Sequence, residues 1–160
     1  FLKKHKDTLH RLVTRTEQLA EVVKDQSFPF VLCHADLHAG NILIDKDNRI
    51  HIVDWDAPIL APKERDLMFI GGGVGNVWNK PFQSAWFYKG YGKNDINQTL
   101  LAYFRHARIL EDIAEYTQAL LLTTEGKEED RMSMCQALIA QFDPQGVIDI
   151  AFQTDNELAM

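Results

Sequence analysis

Three short strand-like runs, at residues 30–33, 42–44 and 49–53, limit what the first half of this chain can fold into. Each run is too short for a helix that could bury an apolar face, so each predicts a strand. Between the second and third runs lies Asp45-Lys46-Asp47-Asn48, whose short polar side chains favour a tight turn. The sequence therefore predicts that residues 42–44 and 49–53 pair as a hairpin.

Polar side chains flank this predicted hairpin. Asp36 and Asn41 precede it, and Asp54 follows it directly. Because paired strands bring their outer ends together, Asn41 and Asp54 should lie close to each other. Carboxylate and amide oxygens suit Mg²⁺, and a further carboxylate, Asp36, can accept a hydroxyl proton. Together these groups are typical of phosphoryl-transfer chemistry, which needs a proton acceptor and a metal that neutralises phosphate charge.

Two other motifs in the chain suggest different chemistry. His34, Asp36 and His38 have a spacing that could form a transition-metal site, although the phosphoryl-transfer pattern explains the same residues without zinc. The glycine-rich run at residues 71–75 lacks the Lys-Ser/Thr ending of a phosphate-binding loop. It also follows a predicted helix where such a loop follows a strand. We therefore predict a flexible turn there.

Helical spacing of apolar residues dominates the rest of the chain. The predicted elements are a helix within residues 1–26, a proline-containing loop at 57–65, a short helix at 66–70, a long helix at 94–122 with an exit loop ending at Gly126, a helix at 128–141, and a last helix from Asp143-Pro144 to residue 152. The predicted fold is α+β and mainly α-helical, with a single domain over residues 1–160.

Net charge, cysteine content and the length of the apolar runs indicate which kinds of partner the chain can bind. The chain has 17 basic and 23 acidic residues, and its net charge of −6 argues against nucleic-acid binding while favouring a cationic ligand. Cys33 and Cys135 lack metal-ligand spacing, so we expect buried, reduced thiols in a cytoplasmic protein. The sequence contains no apolar run long enough for a membrane span, and we expect no membrane partner.

The motif His34-x-Asp36-x-x-x-x-Asn41, followed by Ile52-Val53-Asp54-Trp55-Asp56, resembles the aminoglycoside phosphotransferase and choline kinase family, which is related to the protein kinases. Ala35 stands where protein kinases have arginine, and Trp55-Asp56 replaces their Phe-Gly, which points to the small-molecule branch. Residues 61–73 and 76–80 are most similar to the spectinomycin-type phosphotransferases.

This resemblance implies a role for each polar residue of the motif. Asp36 would be the catalytic aspartate that orients the acceptor hydroxyl, and Asn41 and Asp54 would be magnesium ligands. Asp56 would either reach the metal through water or brace the loop. The expected cofactor is Mg²⁺, with ATP or GTP as co-substrate.

Other matching positions imply supporting roles. Leu43 and Val53 would form the floor under the purine of the nucleotide. His34 would tie the catalytic loop to the hairpin, and Asp66 would accept hydrogen bonds from the backbone of that loop. Both would therefore be structural.

The expected acceptor is an aminoglycoside or aminocyclitol antibiotic such as spectinomycin, whose phosphorylation would confer resistance. Ammonium groups of such a substrate need acidic and aromatic neighbours. Glu111, Asp112 and Glu115 lie within about one helical turn of each other, and Trp78 precedes them. These four residues are the substrate-binding candidates, although a solvated acidic helix face would show the same spacing.

Alternative functions remain open at the level of sequence. The chain could belong to a kinase for choline, homoserine or a sugar, to a non-catalytic kinase-like binding module, or to a metal-dependent hydrolase. Retention of Asp36, Asn41 and Asp54 together argues against a non-catalytic module. The absence of a metal-spaced histidine partner beyond residue 51 argues against a hydrolase.

The resemblance covers nearly the whole chain but corresponds only to the C-terminal lobe of the family. We therefore expect a separate N-terminal nucleotide lobe, carrying the phosphate-pairing lysine, as an essential partner. Residues 1–160 alone should fold, but they should transfer no phosphate.

Overall fold

All four strands lie between the first two α-helices in the computed structural model, which describes residues 1–92, 95–123, 127–156 and 158. Within those residues the elements are α1 (Lys6–Val23), β1 (Val31–Cys33), β2 (Ile42–Ile44), β3 (Ile50–Ile52), β4 (Ile59–Ala61), α2 (Glu64–Leu67), α3 (Pro81–Tyr91), α4 (Gln98–Leu121), α5 (Glu128–Ala140) and α6 (Val147–Asn156). Single turns of 3₁₀ helix lie at Leu2–His5, Ala39–Asn41 and Val74–Asn76. None of the helices in these ranges is both long and apolar enough to cross a membrane. The predicted α+β, mainly helical fold is confirmed.

Helix α4 lies at the centre of the main hydrophobic core, where it packs against α1, α5 and α6. The buried apolar side chains of this core are Leu12, Ile109, Ile113, Leu138, Val147, Ile148 and Ala151. Ile109 and Ile113 are four residues apart, so both lie on the same side of α4. The core of the described chain is therefore mainly helical, and α4 supplies its axis.

A second cluster joins the segment around α2 to the start of α4. Leu67, Met68 and Phe69 pack there against Leu101. Helix α4 begins later than predicted, because the Asn97 side chain caps it by accepting the N–H of Leu100 at 3.1 Å. The predicted start at residue 94 lies outside the described residues.

The predicted hairpin is confirmed as the antiparallel pair β2–β3, with Ile42 opposite Ile52 and Ile44 opposite Ile50. In its turn, Asp45 Oδ1 accepts the N–H groups of Asp47 and Arg49 at 2.8 and 2.9 Å. A short side chain that bonds its own turn fixes the register of the two strands.

The predicted loop at residues 57–65 is wrong in part, because Ile59–Ala61 forms strand β4. This strand pairs antiparallel with β1, and Cys33 lies opposite Ile59. Pro58 and Pro62 flank the strand and do not interrupt it, so they remove no N–H from its ladder. The pairing joins segments far apart in sequence, which local patterns do not reveal.

The two cysteines differ in environment. Cys33, the last residue of β1, is completely buried, and burial raises the pKa of its thiol to about 11. Cys135 is exposed, so the prediction that both thiols are buried is wrong for this residue. Leu138 is the buried residue of α5, and Cys135 on the same helix is exposed.

Several element boundaries also differ from the predictions. Helix α3 was not predicted, and it begins at Pro81, where the missing N–H of proline costs nothing. The short helix predicted at residues 66–70 lies at Glu64–Leu67. The glycine-rich run leads into the single 3₁₀ turn at Val74–Asn76, while its predicted flexibility stays a prediction. The last helix begins at Val147, after a turn closed by the N–H of Gly146 donating to the Asp143 carbonyl at 2.9 Å. The expected loop end at Gly126 lies outside the described residues.

The helical core makes a direct prediction about stability in the 160-residue chain. Leu12 has no exposed surface, and we expect Leu12→Ala to lower the free energy of unfolding by about 3 kcal/mol through lost packing and an unfilled cavity. Its neighbour Val13 is 41% exposed, so Val13→Ala should cost less than about 1 kcal/mol. Urea unfolding followed by circular dichroism measures both, and equal losses would contradict this description of the core.

Candidate active site

One carboxylate holds two consecutive N–H groups of the loop that follows β1. Asp66 Oδ2 accepts the N–H of His34, and Oδ1 accepts that of Ala35, both at 2.8 Å. Ala35 has a φ of 70°, which L residues seldom adopt and which persists only where its surroundings determine it. Asp66 lies in α2, so this short helix fixes the conformation of the loop.

His34 connects the same loop to the end of the hairpin. Its Nε2 lies 2.8 Å from the carbonyl oxygen of Val53, and its Nδ1 accepts the N–H of Asp36 at 3.3 Å. Since Nδ1 accepts, Nε2 carries the proton and donates to Val53. The ring is 2% exposed and packs on Trp55. Both ring nitrogens are engaged, which disfavours the alternative in which His34 ligates a transition metal.

Asn41 and Asp54 come together at the open end of the β2–β3 hairpin. The carbonyl of Asn41 accepts the N–H of Val53 at 3.0 Å, which places the backbone of Asp54 directly beyond the pair. The side-chain nitrogen of Asn41 donates to the Asp36 carbonyl at 2.9 Å, so the amide oxygen is the atom that suits a cation. Asp54 is exposed and has a φ of 66°, whereas Asn41 is buried.

The carboxylate of Asp36 pairs with an arginine that sequence reasoning missed. Arg108 Nη1 donates to Asp36 Oδ1 at 2.7 Å, and Arg108 Nε donates to Asp112 Oδ1 at 2.7 Å. Burial alone would lower the pKa of the Arg108 guanidinium, but these two carboxylates raise it above its usual range. The four-residue spacing of Arg108 and Asp112 could have revealed their pair. Nothing in the sequence indicates the contact with Asp36, 72 residues away.

His38 lies on the other side of the Asp36 carboxylate. Its Nε2 is 3.5 Å from Asp36 Oδ2, and its Nδ1 accepts the N–H of Gly40 at 3.0 Å. The described residues contain no group of three or more His, Cys, Asp or Glu side chains placed to hold a metal ion by themselves.

A cleft of about 370 Å³ opens between this loop and α4. Acidic side chains predominate in its lining, which consists of His34, Ala35, Asp36, Asp54, Asp56, Ala57, Ile59, Arg65, Arg108, Glu111, Asp112 and Glu115. The predicted catalytic aspartate, one predicted metal ligand and the three predicted acidic substrate residues therefore share one cavity, together with Asp56.

The three acidic residues of α4 differ in how they are paired. Asp112 is buried and bonded to Arg108. Glu111 is largely exposed, with Oε2 3.6 Å from Arg65 Nη2. Glu115 is exposed and makes no ion pair within the described part of the chain. Of the three acidic residues of α4, Glu115 is therefore the one best able to accept an external cation.

The remaining candidates lie elsewhere. Trp78 packs against the cluster of Leu67, Met68, Phe69 and Leu101 and is not part of the cleft lining, so the structure does not bring it to the acidic residues as predicted. Leu43 lies on β2, with 52% of its surface exposed, and Val53 is half-buried just after β3.

These features define the class of the fold. The loop with Asp36 and Asn41, the hairpin that ends at Asp54, and α4 as the opposite wall form the C-terminal lobe of a protein-kinase-like phosphotransferase.

The chain belongs to the phosphotransferase enzyme family, whose sequence profile matches residues 2–89. Two solved structures of spectinomycin phosphotransferase, APH(9)-Ia, are similar to it. One is a complex with ADP and spectinomycin, with a TM-score of 0.87, and the other is an AMP-bound complex, with a TM-score of 0.86. Each is 48% identical over 97% of this chain and 47% of the other. The chain thus spans about half the length of these relatives.

Proposed function

We propose that residues 1–160 form the C-terminal lobe of an ATP-dependent phosphotransferase that acts on a hydroxyl of an aminocyclitol antibiotic such as spectinomycin. The observation that carries this proposal is the shared cleft, in which Asp36 and Asp54 face the acidic side chains of α4. Likeness to an enzyme crystallised with ADP and spectinomycin supports the choice of substrates. The nucleotide lobe would be supplied by the rest of the full-length protein.

In the proposed reaction, Asp36 orients the acceptor hydroxyl and receives its proton. The hydroxyl oxygen forms a bond to the γ-phosphorus of ATP, while the bond from that phosphorus to the bridging oxygen of ADP breaks. Asp36 is suited to this task because its side chain is 40% exposed and Oδ2 is not bonded to Arg108, with only His38 Nε2 nearby at 3.5 Å. A positioned carboxylate of this kind typically accelerates proton transfer by about 10²-fold or more.

Asn41 and Asp54 are the proposed magnesium ligands. Their amide and carboxylate oxygens are hard donors, and Mg²⁺ commonly takes one or two protein oxygens with water and phosphate oxygens. The bond from the Asn41 amide nitrogen to Asp36 fits this role, since it fixes the amide orientation. Asp56 lines the same cleft and is a candidate for a water-mediated contact. The ion would neutralise phosphate charge as the γ-phosphoryl group transfers.

The proposed nucleotide site uses Leu43 and Val53 as the floor under the purine. Leu43 leaves half of its surface open on β2, which is suitable for a planar base. The relatives bound to ADP and AMP support an adenine nucleotide over GTP. We also propose a cytoplasmic location, where ATP is available, and a role in antibiotic resistance.

Recognition of the antibiotic is proposed to rest on Glu115, with Glu111 beside it. Asp112 was grouped with them from the sequence, but its pairing with Arg108 leaves it less available to an ammonium group. Glu115 has no competing cation among the described residues, and the cleft around it is acidic. An ammonium group placed there would gain charge-assisted hydrogen bonds.

The catalytic assignment predicts that Asp36→Asn in the full-length protein lowers kcat with spectinomycin by about 10²-fold or more. Nucleotide affinity should stay largely unchanged, because Asp36 contacts the acceptor. ADP release measures turnover, and calorimetry measures nucleotide binding. Asp130→Asn, an exposed change on α5, is the control. Turnover within about tenfold of wild type would refute the assignment.

The metal assignment predicts that Asp54→Ala weakens binding of the magnesium–nucleotide complex far more than binding of metal-free nucleotide. Titration of nucleotide affinity against Mg²⁺ concentration separates these two quantities. Asp56→Ala serves as a comparison and should have a smaller effect if its contact is through water. An unchanged magnesium dependence in Asp54→Ala would show that another residue holds the ion.

The substrate assignment predicts that Glu115→Gln raises KM for spectinomycin about fivefold, since a partly exposed ion pair contributes up to about 1 kcal/mol. Added salt should weaken binding in wild type more than in the variant. Glu17→Gln, an exposed change on α1, provides the matched control. If a panel of choline, homoserine, neutral sugars and aminocyclitols yields phosphate transfer only to a neutral sugar, the proposed substrate class is wrong.

A further inference from the structure

A single guanidinium connects the catalytic loop to the far wall of the cleft. Arg108 donates through Nη1 to Asp36 and through Nε to Asp112, each at 2.7 Å. The side chains of Arg108 and Asp112 are 21% and 11% exposed, whereas that of Asp36 is 40% exposed. Arg108 and Asp112 are therefore well packed, and the Asp36 carboxylate faces the cleft.

We infer that Arg108 is a positioning residue for phosphoryl transfer, which holds the Asp36 carboxylate in the orientation that presents Oδ2 to the acceptor hydroxyl. This inference rests on the proposed function, because it requires Asp36 to meet the acceptor. Rotation of a carboxylate about its last side-chain bond is soft, so an exposed aspartate has no single preferred orientation of its own. A short bond from a charged donor removes that freedom at Oδ1. Oδ2 has only the longer contact with His38 Nε2, at 3.5 Å, and is the oxygen that would meet the substrate.

The support around Arg108 explains how it can hold a fixed orientation. Asp112 follows it by four residues on α4, so both side chains lie on one face of the helix. The ring of Phe69 lies beneath the guanidinium, 5.6 Å from ring centroid to Cζ, and Phe69 itself belongs to the buried cluster near α2. The planar fork of arginine allows two carboxylates to be bonded at defined angles, which the single ammonium of lysine does not reproduce.

Asp36 and the acidic residues of α4 fall into two groups, those bonded to Arg108 and those open to a cationic substrate. Arg108 pairs with both Asp36 and Asp112 and offsets one of their two negative charges, while Glu111 and Glu115 are exposed. A cationic substrate is thus directed towards Glu115, and it does not have to displace the arginine from the catalytic aspartate.

Turnover in the full-length protein provides the first test. Arg108→Gln should lower kcat by on the order of 10²-fold with little change in KM for nucleotide, because misplacing a reacting group has that cost. Arg108→Lys keeps the charge without the fork and should recover only part of the loss. Arg108→Gln combined with Asp112→Asn removes the unpaired buried carboxylate, so it should recover stability but not kcat. Full recovery of kcat in this double variant would overturn the inference.

A matched control separates positioning from general stability. Arg15 on α1 forms a similar two-armed pair with Asp155, with Nε 2.7 Å from Oδ2, outside the cleft. Arg15→Gln should lower the melting temperature and leave kcat unchanged. If Arg15→Gln and Arg108→Gln reduce kcat equally, Arg108 acts only through stability, and the inference fails.

Crystal structures of wild type and Arg108→Gln give a readout that does not depend on the identity of the acceptor. We expect one orientation of the Asp36 carboxylate in wild type, and a rotated or multiply oriented carboxylate in the variant. An unchanged orientation in the variant would overturn the inference even if spectinomycin is phosphorylated. Absence of transfer by wild type to any acceptor would instead refute the proposed function, while the carboxylate orientations would still decide the role of Arg108.

Discussion

The carboxylate of Asp66 is the interaction on which the candidate site depends. It satisfies two adjacent N–H groups, of His34 and Ala35, and so maintains a left-handed residue in the loop. His34 can then bond to the Val53 carbonyl, which ties the loop to the hairpin. Within the loop, only the long bond from the Asp36 N–H to His34 Nδ1, at 3.3 Å, spans Ala35, so the two shorter bonds to Asp66 are the main support for its strained conformation. The relative placement of loop and hairpin therefore depends on a residue that lies outside both.

Helix α4 links the stability of the fold to the geometry of the cleft. Ile109 and Ile113 pack into the main core, while Arg108 and Asp112 face the catalytic loop. The two residues of each pair are four positions apart, so each pair lies on one face of the helix. One face therefore packs the core, and the other contacts the catalytic loop. Any change that rotates or shifts α4 in the core would move the arginine that contacts Asp36. Core packing and site geometry are thus not independent in this protein.

Local sequence patterns predicted the elements that depend on neighbouring residues. The turn at residues 45–48 and the runs on either side were sufficient for the β2–β3 hairpin, because hairpin pairing is local. Pairing of β1 with β4 was missed, since 28 residues separate Cys33 from Ala61 and the flanking prolines suggested a loop. Trp78 was predicted to bind substrate because of its aromatic ring, and in the fold it is partly buried against the cluster near α2 and does not line the cleft.

The sequence by itself determined the chemistry available to this protein. The identities and order of Asp36, Asn41 and Asp54, and the hairpin that the last two flank, follow from local pattern and family resemblance. Only the tertiary structure decided which charges meet, because the Asp36–Arg108 pair requires α4 to fold back against the catalytic loop. Helix packing in the core determines which side chains of distant segments pair. Local sequence patterns do not show these pairs.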